Sequence, residues 1–104
     1  MGGRSDIILE KVESVIKVWR RNRWLIEELK SEKNYKCEIP GCNYDPFNNS
    51  SGLPYIEAHH IIPLGKDGSE SRRNIAIVCP NHHRELHYGE NREDLTKILT
   101  LQKS

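Results

Sequence analysis

The sequence predicts a small α+β protein in which two short strands and a helix form the centre, with further helices at both ends and a structural zinc ion cross-linking the fold. Three observations support this prediction. The chain has 104 residues and only 36% are hydrophobic, so the apolar core is thin, and domains of this size usually need a metal or disulfides. The three cysteines and five histidines all lie between residues 37 and 87. Short apolar runs alternate with loops there, whereas both ends show helical spacing.

We therefore predict one domain over residues 1–104. It comprises a helical N-terminal extension (1–34), a metal-binding centre (35–89) and a C-terminal helix (90–104). The first helix is expected to begin after a cap at Ser5 or Asp6. Its apolar positions recur every three or four residues, which is typical of an amphipathic helix. These positions are Ile8, Val12, Val15, Ile16 and Trp19. If the stripe is exposed, it can pair two chains into a homodimer.

The second half of this extension leaves two alternatives open. Residues 20–23, Arg-Arg-Asn-Arg, either interrupt the helix or lie on its polar face, and helical spacing then continues to about Lys33. Asn34 suits a left-handed helix end. Residues 1–36 hold nine Lys/Arg and six Asp/Glu, a basic bias that fits either phosphate contacts or a solvated helix face. We expect Trp19 and Trp24 to belong to the core and not to a base-stacking surface.

The centre and the C-terminal region have clear boundary signals. We expect a tight turn between two cysteines at 37–42, a loop over 45–54, a strand over 55–62, a polar loop over 63–73 and a second strand over 75–78. Cys79-Pro80 opens a helix, because proline is favoured in a first turn, and Gly89 ends it. Asn91 is expected to cap the last helix.

Composition also indicates the environment of the protein. The first residues contain no apolar segment typical of a signal peptide, and no run is long enough to span a membrane. We therefore expect a cytoplasmic, reducing location, where cysteines serve more readily as metal ligands than in disulfides.

Four residues have the chemistry and spacing of a closed zinc site. Cys79 and His82 are three apart at the entrance of a helix, and Cys37 and Cys42 form a second pair. Four nitrogen and sulfur ligands suit tetrahedral zinc, so we assign all four to a structural Zn²⁺. The alternative is that the cysteines are small buried apolar residues.

The remaining histidines predict a second metal site. His83 and His87 are four apart on a helix and share one face, whereas His82 lies about 100° away around the axis. Neighbours on a strand point to opposite faces, so one member of the pair His59 and His60 can face the ion while the other faces the substrate. This division of labour suits a hydrolytic metal site.

A strand, a loop, a strand and a helix with these residues form a ββα-metal hairpin. Residues 55–64 (YIEAHHIIPL) and 74–87 (NIAIVCPNHHRELH) resemble the HNH endonuclease family, in particular bacterial and phage restriction-like members with zinc knuckles. The similarity covers about residues 24–89.

The resemblance implies a role for each matching residue. His59 corresponds to the first metal ligand, often Asp in relatives, His83 to the second, and His87 to a third that many members lack. His60 matches the general base. Asn74 matches the central asparagine that ties the loop down and orients the base.

Two further positions complete the comparison. Glu57 resembles an acidic residue of colicin-type sites, which we expect to hold a histidine ring. His82 departs from the cysteine of many relatives, but histidine still ligates zinc.

The implied activity is hydrolysis of DNA phosphodiester bonds to 5′-phosphate and 3′-hydroxyl ends, with a catalytic Mg²⁺, Mn²⁺, Ni²⁺ or Zn²⁺. Lys66, Arg72, Arg73 and Arg84 are candidate phosphate contacts, or else ordinary surface charge. The alternative functions are a non-catalytic zinc-stabilised module that binds nucleic acid, or an interaction domain built on the N-terminal helix.

Overall fold

The computed structural model describes residues 3–103, with side chains from residue 8 onward. Residues 1, 2 and 104, the outermost positions of the predicted single domain, lie outside this range. The elements are α1 (Gly3–Glu32), β1 (Glu57–His60), β2 (Ile75–Val78), α2 (Pro80–Tyr88) and α3 (Arg92–Gln102). Two 3₁₀ turns, Leu64–Lys66 and Arg72–Asn74, lie in the loop that joins the strands. Among residues 3–103, none of the helices is long and apolar enough to cross a membrane.

Helix α1 is one continuous helix of 30 residues. It already includes Ser5 and Asp6, so the predicted cap at those positions is wrong. Residues 20–23 do not interrupt it, because all four keep helical hydrogen bonding. Beyond its end, Asn34 has a φ of 54°, as predicted for a left-handed stop, and Tyr35 follows with a φ of 56°. The chain therefore turns sharply from α1 into the metal-binding centre.

The apolar stripe of α1 is exposed to solvent. Trp19 and Trp24 have 57% and 75% of their surface accessible, so the prediction that both belong to the core is wrong. The physical reason is that only the last turns of α1 pack on the rest of the fold, through Leu25, Ile26 and Leu29. The periodicity identifies an apolar face correctly but does not determine what covers it.

The two strands form an antiparallel pair with Glu57 opposite Val78 and His60 opposite Ile75. Strand β2 has the predicted bounds, whereas β1 has four residues where 55–62 was predicted. Strand β1 is shorter than predicted because β2, with which it pairs, has only four residues. One further bond continues the pairing, from the amide of Ile61 to the carbonyl of Asn74 at 2.9 Å.

Strand β2 is buried on both faces and separates two small cores. On one face Ile75 and Ile77 pack with Leu29 of α1. On the other face the cluster contains Ile39, Ala76, Val78, Leu86 and Leu99, the last two from α2 and α3. Directly opposite residues of an antiparallel pair share a face. Since His59 pairs with Ala76 and His60 with Ile75, the two histidines face opposite cores.

Helix α2 begins and ends as predicted. Cys79 is its N-cap, and its sulfur accepts the backbone N–H of His82 at 3.3 Å, while Pro80 occupies the first turn. Gly89 follows the last residue, and its own N–H bonds the carbonyl of Glu85 at 2.8 Å. Asn91 precedes α3 as predicted, but its side chain makes no capping hydrogen bond.

Candidate metal centres and active site

The tight turn at 37–42 and the start of α2 bring four potential ligands together. The donor atoms of Cys37, Cys42, Cys79 and His82 all lie within 4.8 Å of one another. The Nδ1 atom of His82 is 3.6 Å from the sulfur of Cys37 and 3.3 Å from that of Cys79. The sulfurs of Cys42 and Cys79 are 3.9 Å apart.

These separations fit a tetrahedral metal site. With typical zinc bonds to sulfur and nitrogen, ligand atoms at the corners of a tetrahedron lie about 3.6–3.8 Å apart. The chemistry of the donors agrees, because all three cysteines are free thiols. Burial raises the pKa of the Cys37 thiol to about 12, so it stays protonated unless a cation stabilises the thiolate. The cluster can therefore hold a metal such as zinc.

A buried carboxylate fixes the first knuckle, the turn at 37–42 that carries Cys37 and Cys42. Sequence reasoning missed this feature. Oε2 of Glu38 accepts a hydrogen bond from the backbone N–H of Ile77 at 2.6 Å. Oε1 of Glu38 forms an ion pair with Nζ of Lys103 at 2.8 Å. Its own N–H bonds the carbonyl of Ile77 at 2.8 Å. The residue next to Cys37 is thereby tied both to β2 and to the end of α3. Its only sequence signal is its position beside a ligand.

A second cluster lies between β1 and α2. The ligand atoms of His59, His83 and His87 lie within 4.8 Å of one another, and the ring centroids are 5.0–5.3 Å apart. His83 and His87 share one face of α2, as their spacing of four requires. His59 reaches them from the strand face that α2 covers.

His59 is suited to bind a cation. It is 6% exposed, and its buried Nδ1 has no hydrogen-bond partner in the part of the chain that the structure describes. Burial, reinforced by the neighbouring His83, His87 and His60, lowers the pKa of His59 to about 4. The ring is therefore neutral at physiological pH, which is the form that ligates metals. An unpartnered buried nitrogen in a cluster of three imidazoles is what a metal ligand requires.

Glu57 orients a histidine of this cluster. Its Oε1 lies 2.7 Å from Nδ1 of His83, and its Oε2 accepts the hydroxyl of Tyr55 at 2.5 Å. Burial alone would raise the pKa of Glu57, but these two hydrogen bonds hold that pKa below its usual value. A carboxylate only accepts, so Nδ1 of His83 carries the hydrogen and Nε2 keeps its lone pair for a metal.

His60 lies on the other face of β1 and does not join the histidine cluster. Its Nε2 is 2.9 Å from Oε1 of Glu70, a residue of the polar loop between the strands. Sequence reasoning missed Glu70, because nothing in a polar loop signals which carboxylate will reach the strand.

Asn74 holds the same loop. Its side-chain amide donates to the carbonyls of Ile62 and Ser69, both at 2.9 Å, and its Oδ1 accepts the amide of Ile62 at 2.7 Å. The residue is 7% exposed. Both ends of the loop are thus tied to one residue, directly before β2.

The four basic candidates lie in different environments. Arg84 lines a cavity of about 230 Å³ together with His83 and His87. Lys66 and Arg73 are exposed in the loop between the strands. Arg72 instead bonds Glu32 at 2.7 Å and lies 3.1 Å from Glu28, both on α1. The guanidinium of Arg72 therefore attaches the loop to α1, and the phosphate contact at Arg72 stays a prediction.

Comparison with known proteins agrees with this geometry. Residues 37–89, about half of the chain, match the family model described as HNH endonuclease. The chain belongs to the HNH endonuclease family. The match includes both knuckles, both strands and the whole of α2, so it covers the two clusters described above. HNH endonucleases use divalent metals, in agreement with these clusters.

Two relatives extend the comparison. The chain is 35% identical over 99 residues to the "Type IV methyl-directed restriction enzyme EcoKMcrA" of Escherichia coli (strain K12), covering 94% of this chain and 34% of that protein. It also resembles the solved structure of the "Type IV phosphorothioation-dependent restriction endonuclease ScoMcrA", with 32% identity and a TM-score of 0.59. That match covers 64% of this chain and 13% of the other. The chain thus spans about a third or less of each relative, and these matches support a nuclease or DNA-restriction role.

The Cys/His cluster generates a prediction about metal content. The purified protein should hold about one zinc ion per chain, and Cys79→Ala should lose it and unfold or melt at a much lower temperature. The physical reason is that structural zinc binding contributes directly to folding free energy. His87→Ala, at the other cluster, should keep the zinc and serve as control. Metal analysis with thermal melting measures both, and a Cys79→Ala protein with native melting would contradict the assignment.

Proposed function

We propose that this chain is a metal-dependent endonuclease that hydrolyses DNA phosphodiester bonds to 5′-phosphate and 3′-hydroxyl ends. The observation that carries the proposal is the division of two adjacent histidines between the two faces of one strand. His59 meets His83 and His87 in a cluster with metal-ligand spacing, while His60 stands apart from it. The family supports a nuclease, and both relatives are restriction enzymes by name.

In the proposed mechanism, His60 accepts a proton from a water molecule, which attacks the phosphorus in line with the leaving 3′ oxygen. His59, His83 and His87 would hold the divalent ion, either Mg²⁺, Mn²⁺, Ni²⁺ or Zn²⁺. When bound, the ion would act as a Lewis acid and stabilise the negative charge that develops on the phosphate. Glu57 keeps the ring of His83 in its ligating orientation.

The DNA backbone would be held by basic side chains near the clusters. Arg84 is the best placed, because it lines the cavity beside His83 and His87. Lys66 and Arg73 are exposed on the loop that follows the strand of His60. Arginine and lysine contacts to phosphate position DNA without reading its sequence. We also propose a cytoplasmic location, where a reducing environment keeps the zinc-binding thiols available.

The proposed partner besides DNA is a second copy of the chain, bound through the exposed stripe of α1. Its apolar positions at 8, 12, 15 and 19 alternate in steps of four and three, which is the pattern of a helix-pairing seam. Residues 8–13 contain two glutamates and one lysine, whereas residues 17–23 contain four Lys/Arg. Antiparallel pairing would place opposite charges together in a self-complementary interface.

A plasmid-cleavage assay tests the proposed activity. Purified protein with Mg²⁺, Mn²⁺ or Ni²⁺ should nick or cut plasmid DNA, EDTA should stop the reaction, and excess divalent ion should restore it. Circular dichroism of the EDTA-treated sample controls for unfolding. Cleavage that persists in chelator would contradict a metallonuclease, and a folded protein that cuts with none of these ions would favour the non-catalytic zinc module.

The two adjacent histidines should fail in different ways when they are replaced. His60→Ala removes the proton acceptor, so the cleavage rate should fall by about 10²–10⁴ while affinity for the catalytic metal stays unchanged. His59→Ala removes a ligand, so metal affinity should fall and high metal concentration should restore part of the activity. Metal titrations of cleavage rate, with calorimetry, distinguish the variants. If His60→Ala lost the metal and His59→Ala kept it, the two roles would be exchanged.

Dimerisation can be tested by placing a charge in the stripe. Val15 is 68% exposed, and Val15→Lys should convert the dimer to a monomer because it buries an unpaired charge. Ser14→Lys, the neighbouring position off the seam, should leave the dimer intact. Sedimentation equilibrium measures both, and a wild-type protein that stays monomeric at all concentrations would refute the proposed partner.

A further inference from the structure

The loop between the strands brings one carboxylate to the ring of His60. The Nε2 atom of His60 and Oε1 of Glu70 are 2.9 Å apart, and both side chains are about three-quarters buried. The ring N–H does not point straight at this oxygen, and Nε2 has no other partner among the described residues. Oε2 of Glu70 is likewise buried without a partner in this part of the chain. Such hydrogen bonds are often poorly aligned before substrate binds.

The two nitrogens of the His60 ring are therefore not equivalent. Nε2 is enclosed against a carboxylate, which can only accept a hydrogen bond, and this contact favours the neutral tautomer with its hydrogen on Nε2. Nδ1 then keeps its lone pair, and a general base needs a free lone pair. Nδ1 makes no hydrogen bond to any residue that the structure describes.

We propose that Glu70 is a positioning residue that holds His60 with Nε2 protonated and Nδ1 presented to the attacking water. This inference rests on the proposed function, because it assigns the working nitrogen of the proposed base.

Asn74 does not do this directly, because all the hydrogen bonds of its side chain go to the backbone. Its amide N–H groups bond the carbonyls of Ile62 and Ser69, and its Oδ1 accepts the amide of Ile62. One of these bonds holds Ser69, the residue immediately before Glu70. Asn74 therefore fixes the loop, the loop places Glu70, and Glu70 orients the ring. The effect of the central asparagine on the base is indirect in this chain.

Kinetic experiments on the full chain test the role of Glu70. Glu70→Ala should lower kcat by about 10–100-fold, the size of loss typical when the carboxylate partner of a metal-ligating histidine is removed, with KM and metal affinity unchanged. Glu70→Gln should lose less, because its amide oxygen still accepts from Nε2. Asp67→Asn is the matched control, since it removes an exposed charge from the same loop at a left-handed position that asparagine tolerates.

A double variant separates positioning from a structural role. In the His60→Ala background, Glu70→Ala should cause no further loss, because the ring on which it acts is gone. An additional loss of similar size, or a rise in KM with kcat unchanged, would overturn the proposal. Cleavage by the single variant Glu70→Ala at the wild-type rate would also overturn the proposal.

A spectroscopic measurement tests the same inference without relying on cleavage. Nitrogen-15 NMR of the neutral His60 ring, assigned by the signals missing in His60→Ala, should show hydrogen on Nε2 and none on Nδ1. Glu70→Ala should shift the ring toward a mixture of both tautomers. A wild-type ring protonated on Nδ1, or a tautomer that Glu70→Ala leaves unchanged, would refute the inference. If the protein cut no DNA, the proposed function would fail, but the tautomer would still decide the role of Glu70.

Discussion

Consecutive side chains of an extended strand must point to opposite faces, and the arrangement of the site depends on this constraint at β1. The register with β2 sends His59 toward α2 and His60 toward the opposite side. A shift of one residue would exchange the two and bring the wrong imidazole to His83 and His87. Because β2 is buried on both faces, a slip of β2 would also exchange its apolar side chains between the two cores. Packing and chemistry therefore require the same register.

The Cys/His cluster complements a core that is divided into two small halves. Cys79 belongs to one apolar cluster as a buried residue, and Cys37 and Cys42 pack against both clusters. A metal held by these residues would join the turn after α1 to the start of α2. The same helix carries His83 and His87, so a structural ion at its N-terminus would also fix the direction from which those two rings approach His59. Folding and ligand geometry are coupled through α2.

The sequence was informative where chemistry and local geometry agree. Scarce Cys and His residues at characteristic spacings predicted both ligand clusters, and Pro80 and Gly89 gave the bounds of α2. It was less informative where a contact depends on the path of a loop. Glu70 and Arg72 are ordinary loop residues in sequence, yet one faces His60 and the other pairs with Glu28 and Glu32. The exposure of Trp19 and Trp24 shows a different limit, because amphipathic spacing does not reveal whether a face has a partner.

Helix α1 makes the molecule elongated, with extents of 60 × 33 × 24 Å. Ile8 lies 17 residues before Leu25, where packing on the centre begins, which is about 25 Å at 1.5 Å per residue. This length corresponds to about seven base pairs of duplex DNA at about 3.4 Å each. A continuous helix keeps its length, so it fixes the distance between any group attached near its first turns and the histidines. Adding or removing one heptad would move that group by about 10 Å along the axis while nearly preserving its direction.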